Sequence, residues 1–88
     1  MDEGAVRAVC ERGRSLLPIG VVGVEGRFGV GDAVGCATKA GEEIARGLIS
    51  YSAEAVERIM GQKSPRIAEL LGYSNGEELI HRNDLVLI

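Results

Sequence analysis

The stretch Ala33-Val34-Gly35-Cys36-Ala37-Thr38-Lys39-Ala40-Gly41-Glu42-Glu43-Ile44-Ala45-Arg46-Gly47-Leu48-Ile49 decides the fold. Val34 and Cys36 share one side of a strand expected over residues 33–38. In a second strand, over residues 43–49, Ala45 and Ile49 alternate with Ile44 and Leu48, the period of two that a half-buried strand requires. Lys39-Ala40-Gly41-Glu42 joins them as a hairpin turn in which Gly41 is free to take a positive φ.

Outward from this hairpin the signals become helical. On the N-terminal side, Val6, Val9 and Cys10 repeat at helical spacing over residues 4–12, with Gly13 placed to end the helix in a left-handed conformation. Residues 16–25 are rich in β-branched side chains and read as a strand, broken by Gly20 and Gly23 and confined early on to an edge because Pro18 has no N–H to donate. The glycine-dense residues 26–32 connect this strand to the hairpin. Phe28 is expected there as a core plug at one end of a barrel, where truncation to Ala would cost about 3 to 5 kcal/mol. On the C-terminal side, Ser52 caps a helix carrying Val56, Ile59 and Met60, and Gly61 stops it. Ser64 and Pro65 open a second helix with Ile67, Leu70 and Leu71 as its buried stripe and Gly72 as its end. Asn75-Gly76 is a turn signal, and residues 78–81 and 84–88 read as short terminal strands. The order of elements predicts a small α+β, mainly β domain around an antiparallel sheet with short helices at its ends.

Eighty-eight residues allow one small core and exclude a large enzyme. Hydrophobic residues at 45% and charged residues at 26% fit a folding chain rather than a disordered one. No apolar run is long enough to span a bilayer and the first residues are too charged for a signal peptide, so a cytoplasmic location is expected. Ten basic against 13 acidic side chains leave a net charge of −3, which gives no general attraction to a phosphate backbone. The aromatic residues, Phe28, Tyr51 and Tyr73, are too far apart in sequence to read as a stacking platform. Cys10 and Cys36, without a CxxC spacing, read as reduced small hydrophobes.

The 13 glycines raise the question of a phosphate-cradling loop. Gly29, Gly31 and Gly35 have the wrong spacing for a dinucleotide fingerprint and lead into a strand rather than a helix. Gly61-Gln62-Lys63-Ser64 resembles only the tail of a P-loop, with Gln62 inserted. His81 is the sole histidine, so no His/Cys metal set is expected, and neither a catalytic residue nor a cofactor site is assigned. The adjacent acids Glu42-Glu43 and Glu77-Glu78 flank turns and read as solvated surface rather than an acid/base couple. Two basic groups remain: Arg12 and Arg14 at the end of the first helix, and Arg58, Lys63 and Arg66 around the second and third. Solvated helix ends account for them, or, if they converge, an acidic partner or an RNA phosphate.

Six pieces in order carry a resemblance: Ser15-Leu16-Leu17-Pro18-Ile19-Gly20-Val21, Gly31-Asp32 with Val34, Ala45-Arg46-Gly47-Leu48 with Tyr51-Ser52, Gly61-Gln62-Lys63-Ser64, Gly72-Tyr73, and the terminal run from Ile80 to Leu87. Together they resemble the PUA domain, the family named for pseudouridine synthases and archaeosine transglycosylases, and within it the C-terminal PUA domains of bacterial glutamate 5-kinases. The resemblance covers essentially the whole chain. It implies a small pseudo-barrel of mixed or antiparallel strands with helices at its ends. It also implies that residues 1–88 are a single domain from the C-terminal end of a longer chain, with the first barrel strand missing or shortened ahead of Met1. An edge left unpaired in that way could associate with a second copy. In such a chain ATP, magnesium and glutamate belong to an upstream amino-acid kinase domain, and this domain is a regulatory or structural appendage. The alternative is an RNA-binding PUA module. In that case the loop of residues 13–20 and the final strand form the contact surface, with Arg12 and Arg14, and further round Lys63 and Arg66, meeting phosphate.

Overall fold

A computed structural model describes residues 1–88, the side chains of Glu11 and Arg12 excepted. The first helix, α1, spans Glu3–Arg12. Asp2 caps it by accepting from Ala5 N–H at 2.8 Å, and Gly13 closes it at φ 58°, where any other residue would be strained. The strands β1 (Ala33–Ala37) and β2 (Glu43–Leu48) form the expected hairpin, followed by α2 (Ala53–Ile59), α3 (Ile67–Leu71) and β3 (Leu85–Leu87). The sheet runs β1-β2-β3 and both pairings are antiparallel, so the strand order is that of a meander with two helices inserted. Of the mixed or antiparallel alternatives, the sheet takes the second.

In β2 the alternation works as its sequence requires. Ala45, Gly47 and Ile49 are buried while Arg46 and Leu48 are exposed. A bulge between Cys36 and Ala37 in the pairing shifts the register by one residue, and Ile44, on the face opposite Ala45, is partly buried against the core while Leu48 is exposed. Gly47 sits where no side chain fits: a Cβ there would lie 2.6 Å from Ile80 Cγ2 and 2.7 Å from Asp84 O.

Several expected elements take another form. Residues 16–25 are not a strand. Pro18 opens a 3-10 turn over Pro18–Gly20, and strand pairing shrinks to one antiparallel bridge between Leu16 and Ile80. Proline's missing donor and the glycines that follow leave too little ladder for the β-branched side chains to extend. The strand expected over residues 78–81 is reduced to the Ile80 side of that bridge, and Asp84 belongs to a 3-10 turn, Arg82–Asp84, ahead of β3. Ser64 does not cap a helix. It starts a 3-10 turn, Ser64–Arg66, that runs into α3, and its hydroxyl donates to Glu77 O at 2.8 Å, tying this turn to the chain leading back to the sheet. Phe28 is half-buried against the core rather than plugging it.

The largest fully buried side chain is Tyr51, which shares the core with Val9, Val56, Ile59, Ile67, Leu79 and Ile80. Its hydroxyl donates to Gly76 O and accepts from Asn75 N–H at 2.7 Å, and Asn75 Nδ2 donates to Ser50 O at 2.8 Å. Tyr73 stacks beside it with ring centroids 6.4 Å apart. A tyrosine is buried cheaply only when its hydroxyl is satisfied, and here the Asn75-Gly76 turn supplies both partners.

Candidate functional site

Two features stand out as candidates. The first is a seam where the loop after α1 meets the segment before β3. Leu16 N–H donates to Ile80 O at 2.9 Å, Leu79 N–H to Leu16 O at 2.8 Å, and Arg82 N–H to Ser15 Oγ at 2.8 Å. Arg14, Ser15 and Arg82 are thereby brought to one end of the seam, with Arg14 and Arg82 exposed. Beside them His81 Nδ1 accepts from Asn83 N–H at 3.1 Å, which leaves that nitrogen in use as a local cap. The side chain of Arg12 lies outside the described residues.

Lys63 and Arg66 do not join that end. They sit on the turn tied through Ser64 to Glu77, at the far end of the same segment. Arg66 is engaged with its own helix: its Nε lies 3.5 Å from Glu69 Oε2, and Nη1 donates to Gln62 Oε1 at 3.2 Å. Both partners of that ion pair are largely solvent-exposed, so it orients the guanidinium while adding little stability. Between the two basic ends run Glu77 and Glu78. Arg58, exposed in the last turn of α2, faces the negative end of the helix dipole. Among the described residues, Arg14, Arg58, Lys63 and Arg66 are therefore spread over separate turns and helix ends, with acids between them.

The glycine runs behave as their spacing requires. Gly61 follows α2 and donates its N–H to Pro18 O at 2.8 Å, so it braces two turns instead of cradling an anion ahead of a helix. Among the described residues no three His, Cys, Asp or Glu side chains converge as a metal site would need, and no helix is long and apolar enough to cross a membrane.

The second feature went unread in the sequence. An open groove of about 690 Å³ runs along β1, walled on one side by residues 21–28 and on the other by residues 33–37. Val21, Cys36 and Ile80, all core residues, form part of its lining. At its end the Met1 ammonium donates to Ala37 O at 2.8 Å and Asp2 N–H donates to Gly20 O at 2.9 Å, so the start of the chain bridges the groove walls. Burial pushes the Cys36 thiol above its ordinary pKa of 9.0, with Glu43 adding to the rise and the Met1 ammonium opposing it. The thiol is a packing group at neutral pH.

The sequence matches the PUA domain over residues 1–71, and the chain belongs to that family; its small antiparallel sheet with short helices is consistent with it. More narrowly, it is 57% identical over 88 residues to the glutamate 5-kinase of Methylobacillus flagellatus, covering all of this chain and 24% of that protein. It is 59% identical over 87 residues to the glutamate 5-kinase of Methylococcus capsulatus, and 49% identical over 88 residues to that of a Synechococcus species. The part matched is their C-terminal PUA domain. The chain spans about a quarter of the length of these curated relatives.

Proposed function

We infer that this chain serves as the non-catalytic PUA domain of a glutamate 5-kinase, with a regulatory or structural role in the cytoplasm. The observation that carries this reading is identity of 57% running from end to end of the chain. The whole protein would transfer the γ-phosphate of ATP to the side-chain carboxylate of L-glutamate, in proline biosynthesis. ATP, magnesium and glutamate would be held by an amino-acid kinase domain that precedes this one. The residues present here do not suit them: the glycine-rich residues 26–32 lead into β1, and Gly61 braces Pro18. Phosphoryl transfer needs converging phosphate ligands and metal ligands. Reading the gene upstream of the codon for Met1 tests the assignment. A kinase domain in frame is expected, and an unrelated domain would replace this reading. The 88-residue chain assayed alone should show no glutamate-dependent ATP turnover.

The same reading makes residues 1–88 one domain whose β1 edge receives a further strand from the chain ahead of Met1. It is supported by the Met1 nitrogen already bonding to Ala37 O, as a ladder residue would, and by the groove beside it. Residues two and four positions ahead of Met1 would then point into the groove. Appending that segment should raise the unfolding midpoint and protect the amide of Gly35 from exchange.

A second reading, RNA binding, rests on the bond from Arg82 N–H to Ser15 Oγ, which joins the loop after α1 to the segment entering β3. Arg12, Arg14 and Arg82 would contact phosphate, with Lys63 and Arg66 at the far end. Titration with tRNA at two salt concentrations decides it. A saturable signal with a linear log-log salt slope supports binding, and a flat signal at low salt removes it.

A further inference from the structure

We propose that Asn75 is a site of spontaneous chemical modification: Gly76 displaces its side-chain amide nitrogen, and the isoaspartate that results unlatches Tyr51. The Asn75-Gly76 pair is exposed, so water reaches both residues. Gly76 stands at φ 113°, where other residues are strained, so the turn requires glycine. With no Cβ on that glycine, its backbone nitrogen is left unshielded beside the asparagine side chain. Asn83, the other asparagine of the sequence, is followed by Asp84, whose side chain crowds the corresponding nitrogen.

The reaction uses only the chain and water. Gly76 N attacks Asn75 Cγ and gives up its proton to solvent as the new C–N bond forms. The Cγ–Nδ2 bond then breaks, Nδ2 takes up a proton, and ammonia leaves behind a cyclic imide. Water adds to either carbonyl of that ring. Opening the bond from Gly76 N to Cγ gives aspartate with the chain unchanged. Opening the bond from Gly76 N to the carbonyl carbon of residue 75 gives isoaspartate, in which the chain runs through Cβ and Cγ. Nothing is oxidised or reduced.

The hydrogen bonds of the turn tie this product to the core. Tyr51 Oη bridges the two residues that react, accepting from Asn75 N–H at 2.7 Å and donating to Gly76 O. Isoaspartate puts one more backbone atom, about 1.5 Å of chain, between those two groups, so one hydroxyl no longer serves both. Asn75 Nδ2 also donates to Ser50 O at 2.8 Å, and either product sets a carboxylate, an acceptor only, against that carbonyl. Tyr51 is then left buried with its hydroxyl incompletely met, which is costly. The same bonds govern the rate. With Nδ2 held by Ser50, Asn75 N–H held by Tyr51 and Gly76 N–H donating to Ser74 Oγ at 3.2 Å, attack waits on opening of the turn.

Ageing the 88-residue chain in mildly alkaline buffer, digesting it and mapping the fragments by mass spectrometry tests this. Residue 75 should gain the mass of an amide exchanged for an acid and become a substrate for an isoaspartate-specific carboxyl methyltransferase, while Asn83 stays intact. Conversion should run about tenfold or more slower than in the free peptide of residues 73–77, because only the opened turn reacts. Tyr51→Phe removes the acceptor of Asn75 N–H and should speed conversion about fivefold. Ser74→Ala, at an exposed position, frees Gly76 N–H and should speed it without touching the core. The isoaspartate form, separated by ion exchange, should unfold at lower urea than Asn75→Asp, which carries the same charge but keeps the chain spacing. Residue 75 intact when the free peptide is consumed, or an isoaspartate form as stable as Asn75→Asp, overturns the proposal.

Discussion

The two sides of the molecule differ in how completely their polar groups are met. Around Tyr51, α2, α3 and residues 73–80 the chain is closed: the hydroxyl of buried Tyr51 has partners, and Ser64 and Asn75 each clamp a distant carbonyl. Along β1 the ladder stops, core residues line an open groove, and the chain's first nitrogen is the sole visitor to the edge among the described residues. Stability therefore concentrates on the Tyr51 side, and the β1 side is the more open of the two.

That contrast can be broken by substitution. Tyr51→Ala should have the largest effect, about 3 to 5 kcal/mol by chemical denaturation, enough to unfold a domain of this size. Gly47→Ala should cost about 1 to 3 kcal/mol, because the added methyl meets the backbone oxygen of Asp84 and not just a flexible side chain. Phe28→Ala, on the open side, should cost about 1 to 2 kcal/mol, less than a core aromatic would. A loss as great as that of Tyr51→Ala would mean that the β1 side is closed in solution. Tyr51→Phe should cost about 1 kcal/mol, and exchange at Asn75 should report it, since that amide loses its acceptor.

The smallest effect sharpens the contrast through pH. The folded state holds the Cys36 thiol above its ordinary pKa of 9.0, so the folded chain keeps this proton to a higher pH than the unfolded one. Its contribution to stability is whole below pH 9.0 and is lost as pH rises towards the folded value. Cys36→Ala should flatten that alkaline decline in urea midpoints. An unchanged slope would mean that the thiol is hydrated through the groove.

The hairpin, α1 and α2 were legible because their signals are local: alternation across a turn, a capping side chain three residues from the amide it accepts, a glycine at the stop. Residues 16–25 misled because β-branched side chains favour a strand only when a neighbouring ladder exists, and Pro18 faces none. Tyr51 was unreadable as the core aromatic because its burial depends on partners 24 and 25 residues away. Arg82 reaches Ser15 across 67 residues, so nothing local announced the seam, although the terminal resemblance had drawn attention to both segments. The basic residues were visible as a list of charges. Their dispersal was not, because it follows from which carbonyl Ser64 chooses.

The bond between the Met1 nitrogen and Ala37 has a practical corollary. Any affinity tag or leader fused at that position turns a cationic amine into a neutral amide, keeping the hydrogen but discarding the charge that eases ionisation of Cys36. Tagged and untagged preparations should therefore differ in alkylation rate at a buried thiol, even though the tag itself never touches sulfur.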